Sequence, residues 1–474
     1  MRSNKEVDIE EIIANNLDCL VSTLNKSNNK VIISISGGID SIVLLDVILK
    51  IKKKLSIDLS LFHMNYDMHY NADKMQNLCI RIADENKLKI FTKKINSKNL
   101  FKNTNLEAKA RYARYEKLSD ICSKNKIDYI LTAHHEDDQI ETIYMHKEIH
   151  KSSWVSQIGI RPIRNLIKNK DHSIDILRPM ISITKEQIIN YANKNKLKFY
   201  DDPTNKDVRF LRNKIRLEIK EKIQDKKFRN SFLNIAYKNQ IKISKISSDI
   251  NAKISKILFF SFSDNFVILN RKEISIQSID FFTLFLKKII SENFSFTYHA
   301  SSLFWKNLFL FINSSKKEKY FILDANKNIK ISKSSKYVYL YIDKRRIKKV
   351  INKIGNYTNR LGVLSVIDSD PNCKFPDKFS DKTKFLLSKF YLNKLTIDFW
   401  NIGDKCTNDF GINMKVSDIY INNKLSIFEK KHYPIIKFEN KIIWIPGMFI
   451  ANIKTKLDED DNNNNILLNW NSIL

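Results

Sequence analysis

The chain has 474 residues, 43% of them hydrophobic and 11% aromatic, enough apolar material for about three packed domains and too much for wholesale disorder. Its formal net charge of +30 attracts polyanions, nucleic acid above all, although a bias toward A/T-rich codons would also inflate lysine, asparagine and isoleucine together. Cys19, Cys79, Cys122, Cys373 and Cys406 are odd in number, widely spaced and never arranged as Cys-x-x-Cys, which argues against a disulfide framework or a zinc site and for a reducing compartment. The opening residues lack the apolar core of a secretory signal, and no apolar run is long enough to span a bilayer, so a cytoplasmic protein without a membrane segment is expected.

In chain order, the first half alternates strand and helix patterns. Strands are expected at 30–36, 58–66, 89–95 and 129–134, and helices at 42–54, 74–88 and 106–126. Such alternation predicts an α/β fold, a doubly wound and mainly parallel sheet, with ligands at the carboxyl ends of the strands. The Gly37-Gly38 pair, His63-Met64-Asn65 and Thr132-Ala133-His134-His135 all fall at such ends. From about 214 to 258 the pattern becomes long, basic and helical, and from about 335 it becomes short β-like runs at 336–343, 394–400, 433–438 and 441–447. We therefore expect a catalytic domain over 1–220, a mainly helical middle domain over 221–334, and a small α/β domain over 335–474 whose tail is loose from about 456.

Ser36-Gly37-Gly38-Ile39-Asp40-Ser41 links the first strand to the first buried helix in a chain with only 8 glycines. A glycine pair there lets backbone N–H groups converge on an anion at a helix start, and Ser36 and Ser41 add hydroxyls. Asp40 would repel bare phosphate, so its natural role is to hold Mg²⁺ that arrives with the phosphate. No lysine follows at the Walker A position. Farther on, His134, His135, Asp137, Asp138 and Glu141 share one strand-to-helix passage; carboxylates three and four apart lie on one helix face, where they suit Mg²⁺ binding or proton acceptance from an amine.

The first of these stretches resembles the pyrophosphate-binding loop of the PP-loop, or N-type, ATP pyrophosphatases, whose fold is that of the adenine nucleotide alpha-hydrolases. The second, "LTAHHEDDQIET", resembles the signature of the tRNA(Ile)-lysidine synthetase family. "LEAKARYARYEKL", "ILRPMISITKEQIINYA" and "YDDPTNKDVRFLRNKIR" resemble further segments of that family in the same order. The resemblance implies ATP-dependent ligation of L-lysine to the wobble cytidine of tRNA-Ile with a CAU anticodon. It implies that Ser36, Gly37, Gly38, Ile39, Asp40 and Ser41 bind ATP, and that Asp40, His134, Asp137, Asp138 and Glu141 serve catalysis. Asp40 and Asp138 are the candidate Mg²⁺ ligands, with metal and base roles not separable at this stage. Arg111, Arg114, Arg178, Arg212 and Arg216 are candidate phosphate or anticodon contacts. The sequence departs from the family at 147–159, where a glycine-rich loop is replaced by "KEIHKSSWVSQIG". A tRNA thiolase sharing the loop would need paired cysteines or an iron–sulfur cluster, and an inactive tRNA-binding relative would not need the intact motifs. A homodimer stays open.

Overall fold

Side chains of Lys30–Ile35 (β1) alternate between two cores, and this fixes the architecture around it. Val31, Ile33 and Ile35 pack with Val43, Leu44, Val47 and Ile48 of the helix Ile39–Ile51 (α2) on one face of the sheet. Ile32 packs on the other, with Leu118 and Cys122 of a later helix. A strand buried on both faces is what a near-continuous run of β-branched residues predicts. Helix α2 is apolar nearly all round because it lies between the sheet, the helix Ile9–Leu24 (α1) and a helix that follows the last parallel strand.

The computed structural model describes residues 8–24, 29–95, 106–168, 173–262, 265–294, 300–315, 320–344, 346–369, 381–408, 411–451 and 465–474. It divides into two units, 1–244 and 245–474. In the first, β1 and α2 are followed by Asp58–Asn65 (β2), Ala72–Glu85 (α3), Lys89–Lys94 (β3), Leu106–Asn125 (α4), Tyr129–Leu131 (β4) and Glu136–Tyr144 (α5). Then come Ile163–Lys168 (β5), Ser173–Leu177 (β6), Lys185–Lys194 (α6), Leu211–Ile219 (α7) and Lys226–Ile257 (α8). The sheet order is β3-β2-β1-β4-β6-β5, parallel throughout except for β5 against β6. The doubly wound α/β expectation holds. Chain order reverses between β1 and β4, the switch point beside which such sheets bind ligands. Strand β4 ends at Leu131, short of the expected 134, although Thr132 N–H still donates to Leu177 O of β6 at 3.1 Å.

Helices α3, α4 and α6 end on the same device. Asn86-Lys87, Asn125-Lys126 and Asn195-Lys196 place a lysine in the left-handed region, at φ 54°, 53° and 51°. The next residue, Leu88, Ile127 or Leu197, donates its N–H to a carbonyl five residues back, Ala83, Cys122 or Ala192, at 2.8, 2.9 and 3.0 Å. These closures satisfy helix carbonyls as a glycine terminator would, with lysine in the glycine's place.

The second unit is built on antiparallel sheets. Strands 258–262, 266–270, 337–342, 329–333 and 321–324 lie side by side in that order, and helices Ile279–Phe294 and Ser302–Asn313 contribute Phe282, Phe285, Leu308 and Ile312 to the core they share. The stretch 221–334, expected to be mainly helical, thus also carries strands; aromatic and β-branched runs such as "FVILN" pair rather than coil. The β-like runs expected farther on become strands 337–342, 395–399, 434–438 and 441–445. The expectation of a loose tail is corrected at its end: Asn465–Ser472 is a strand paired with both 362–368 and 384–388, with Ile466, Leu468 and Trp470 buried. Residues 456–464 lie outside the described residues. Among the described residues no helix is long and apolar enough to cross a membrane.

A lysine in the left-handed region costs roughly 1–2 kcal/mol that glycine does not. Replacing Lys196 by glycine is expected to stabilise the protein by about 1 kcal/mol, read as a higher midpoint of urea unfolding with an unchanged slope.

Candidate active site

The loop after β1 is built around a residue that needs to be glycine. Gly37 sits at φ +85°, and a Cβ there would lie 3.1 Å from Met75 Cβ and 3.2 Å from Met75 O. Gly38 is the N-cap of α2. The two hydroxyls brace the loop from inside. Ser41 Oγ donates to Gly38 O at 2.9 Å and accepts from Ser36 N–H at 3.1 Å, and the Ser36 and Ser41 hydroxyls lie 3.1 Å apart. Tyr200 N–H donates to Gly37 O at 3.0 Å, tying the loop to the chain beyond α6.

Beside it, the β4 loop leads into α5. His134 is half-buried, with Nδ1 2.9 Å from Thr132 Oγ1, and burial drives its pKa well below the ordinary imidazole value, so it is neutral at pH 7. His135 is buried; its Nε2 lies 3.8 Å from Asp40 Oδ1 and 3.6 Å from Asp138 Oδ2. Glu136 N–H donates to Ile183 O at 2.9 Å, which brings the start of α6 alongside.

The acidic residues of α5 separate into two sets. Asp138 and Glu141 are buried and face α7. Arg212 reaches Glu141 Oε2 through Nε at 2.8 Å and Asp138 Oδ1 through Nη2 at 2.9 Å. Arg216 does the same, at 2.7 Å to Glu141 Oε1 and 3.1 Å to Asp138 Oδ1. The remaining Asp138 oxygen accepts from His135 N–H at 3.0 Å. Glu136 and Asp137 face Arg229 of α8 instead, whose Nη2 lies 2.5 and 2.7 Å from them.

Burial alone would raise the pKa of Asp138, but His135, Arg212, His134 and Arg216 outweigh burial and hold the carboxyl far below its usual range. Both of its oxygens have protein partners here. Arg212 and Arg216 line the site but are already committed to these carboxylates.

Arg178 stands apart from both cavities of the site. It is 2% exposed, and Nη1 donates to Arg161 O at 2.5 Å. Burial, with Arg111 and Arg164 nearby, pushes its pKa down to about 10. Arg111, Arg114 and Arg164 stand 5.4, 5.3 and 5.7 Å from the ring of buried Tyr115. Burial opposes ionisation of that phenol, yet Arg114, Arg111, Arg178 and Arg164 together lower its pKa. Among the described side chains no carboxylate pairs with these four arginines, so the site's surplus positive charge is concentrated here.

Two adjoining cavities open on the loop. The smaller, about 410 Å³, is bounded by Ser36, Asp40, Met64, Tyr66, His134 and Arg111. The larger, about 1190 Å³, is bounded by Gly38, Ile39, Asp40, Asp137, Lys185 and Arg229. Ser36, Asp40, Arg114, Asp202 and Arg216 border both. Asp40 is one-third exposed and forms an ion pair with Lys185. Among the described residues no three His, Cys, Asp or Glu side chains cluster as a metal cage. A reachable carboxylate such as Asp40 next to a phosphate-sized cradle suits Mg²⁺, which is carried mostly by phosphate oxygens and water.

Lys185, Arg229, Arg164 and Tyr115 were not expected from the sequence. One signal was present: Lys185 is the first residue of α6, where a cation opposes the helix dipole and so serves something other than the helix. The departing segment 147–159 follows a defined path. Gln139 Nε2 donates to Ile160 O at 3.1 Å while its Oε1 accepts from Ile160 N–H, and Gly159 at φ +67° leaves room for that amide. Gln240 Nε2 donates to Ile158 O at 2.8 Å.

Residues 4–223 match the PP-loop domain family. The chain is 29% identical over 407 residues to the tRNA(Ile)-lysidine synthase of Mycoplasma mycoides subsp. mycoides, covering 77% of this chain and 98% of that protein. It is 26% identical over 453 residues to that of Persephonella marina, covering 90% and 92%. It is 30% identical over 213 residues to that of Histophilus somni, covering 44% and 47%.

Removing one member of a buried ion-pair set leaves its partners uncompensated, at roughly 3–5 kcal/mol. Asp138→Ala is therefore expected to lower unfolding free energy by about that much. Because the folded-state pKa is depressed, this carboxylate's contribution is complete above the unfolded value of about 3.9 and is lost only as pH falls through the folded value. The penalty, measured by urea unfolding, should be constant from about pH 8 to pH 5 and shrink only in strong acid.

Proposed function

We propose, from its similarity to tRNA(Ile)-lysidine synthases over most of its length and from its PP-loop domain, that the chain joins L-lysine to C2 of the wobble cytidine in the CAU anticodon of tRNA-Ile. ATP supplies the energy. The cytidine C2 oxygen attacks the α-phosphate of ATP, pyrophosphate leaves, and the lysine ε-amine then displaces AMP from C2 with loss of a proton. The observation that carries the reading is the meeting, at the switch point of the sheet, of the glycine-pair loop and the His134-His135 passage over two cavities that share Asp40.

The division of the cavities supports a division of labour. Backbone N–H groups of Gly37, Gly38 and Ile39 seat the β- and γ-phosphates, and Ser36 and Ser41 hold that loop in shape. Asp40 would hold Mg²⁺, which screens charge gathering on the departing pyrophosphate. The smaller cavity, with Met64, Tyr66 and neutral His134, suits an aromatic base, while Arg111 and Arg114, which pair with no carboxylate among the described side chains, offer cations to phosphate. Asp137, at the wall of the larger cavity, is the best-placed of the α5 carboxylates to receive the lysine ammonium, whose solution pKa of about 10.4 requires that a proton be lost before attack, while Asp138 and Glu141 are held by Arg212 and Arg216. The basic stretch 214–258 and the C-terminal part would grip the RNA body. A cytoplasmic location fits such a substrate.

Cysteine chemistry weighs against a thiolase. Cys79 and Cys122 are buried, with pKa values pushed up to about 12, and Cys406 is buried at about 11. Such thiols are poor sulfur carriers.

The reading is tested by AMP formation that depends on both lysine and CAU-anticodon tRNA-Ile; a well-folded protein that releases none is not this enzyme. Asp40→Asn should lower turnover by about a hundredfold or more. Affinity for the tRNA, measured by filter binding, should fall by orders of magnitude between about 50 and 200 mM salt.

A further inference from the structure

Lys185 does two things that its own helix does not need. The N-terminus of α6 is closed without it: Thr184 Oγ1 accepts from Gln187 N–H at 3.2 Å, and Gln187 Oε1 accepts from Thr184 N–H at 2.9 Å. Standing at the first helical position, its ammonium opposes the helix dipole. Yet Nζ is turned onto Asp40 Oδ1, the carboxylate of the phosphate-binding loop, and both side chains are one-third exposed at the wall of the larger cavity. The backbone at this point is fixed independently, Ile183 O by Glu136 N–H at 2.9 Å and Lys185 N–H by Asp137 Oδ1 at 3.4 Å.

Two other cations around that cavity, Arg216 and Arg229, differ in what they would leave behind. Withdrawing Arg216 strands buried Asp138 and Glu141, and withdrawing Arg229 strands Glu136 and Asp137. Withdrawing Lys185 exposes only Asp40, which is already partly solvated and which a divalent cation would neutralise. We propose that Lys185 is an exchangeable counter-ion. It occupies Asp40 while the nucleotide site is empty, gives the carboxylate up to the divalent cation, and turns its ammonium onto the pyrophosphate oxygens of the bound nucleotide. This rests on the phosphate-seat reading above and adds to it a residue that touches the leaving group. The exchange is one of partners only; no covalent bond changes.

A counter-ion that changes partners gives two opposed effects when it is removed. In Lys185→Met, Mn²⁺ alone, counted by EPR, should bind more tightly by about threefold to tenfold because its competitor at Asp40 is gone. Pyrophosphate with saturating Mg²⁺, measured by calorimetry, should bind about tenfold to a hundredfold more weakly because a charge-assisted hydrogen bond is lost. Lys185→Arg should restore most of the pyrophosphate affinity. Loss of both affinities, no change in either, or a change in one alone overturns the proposal; Lys185→Gln serves if the methionine variant does not fold. Lysidine formation by the wild type is scored separately. An active wild type whose methionine variant keeps both affinities removes the counter-ion role alone, whereas opposed shifts in a protein that makes no lysidine preserve that role and remove the assigned reaction.

Discussion

Two carboxylates of α5 and two guanidinium groups of α7, Asp138 and Glu141 with Arg212 and Arg216, form a nearly closed square that the rest of the site depends on. Each member is tolerable in a buried setting only because the others are there. The square fixes where α5 begins, and therefore where His134 and His135 stand relative to the loop after β1. It also draws the segment beyond residue 200 onto the parallel sheet's carboxyl edge, so that Asp202, Asn213 and Arg216 border the same cavities as Ser36 and Asp40.

Charge accounting then separates scaffold from chemistry. The square is balanced. Arg229 against Glu136 and Asp137 leaves one negative charge, and Lys185 against Asp40 is balanced. The excess lies in the arginines around Tyr115, at the wall of the smaller cavity. Among the described side chains, the site's arginines without a carboxylate partner thus include Arg111 and Arg114 at the smaller cavity, while Arg212, Arg216 and Arg229 hold carboxylates still.

The sheet and its binding loop were legible in the sequence because their signals are local. A β-branched run, a glycine pair and a helix start lie within twenty residues. The pairing of Asp138 was not legible, because the arginines that neutralise it are more than seventy residues away and only folding brings them close. Nor was the orientation of Arg178: a motif shows that an arginine is present but not which way the strand end turns it. Lys185 and Arg229 lie outside the runs that signal phosphate binding, and only their contacts identify them. In the second unit, the segments 258–262 and 266–270 carry both helix and strand tendencies, and the pairing of 266–270 with 337–342 on one side and with 258–262 on the other decides for strand.

The lysines that close α3, α4 and α6 bear on how this sequence tolerates compositional pressure. At those helix ends the backbone angle is demanding, but the lysine side chains are exposed and are accommodated at a modest strain. At Gly37 the angle and the space are both demanding, since Met75 fills the volume a side chain would need. Replacement of glycine by lysine or asparagine can therefore spread through the periphery of such a fold and lower its melting point gradually. It stops at the nucleotide loop, where the same exchange would displace a neighbouring helix and remove the anion seat outright.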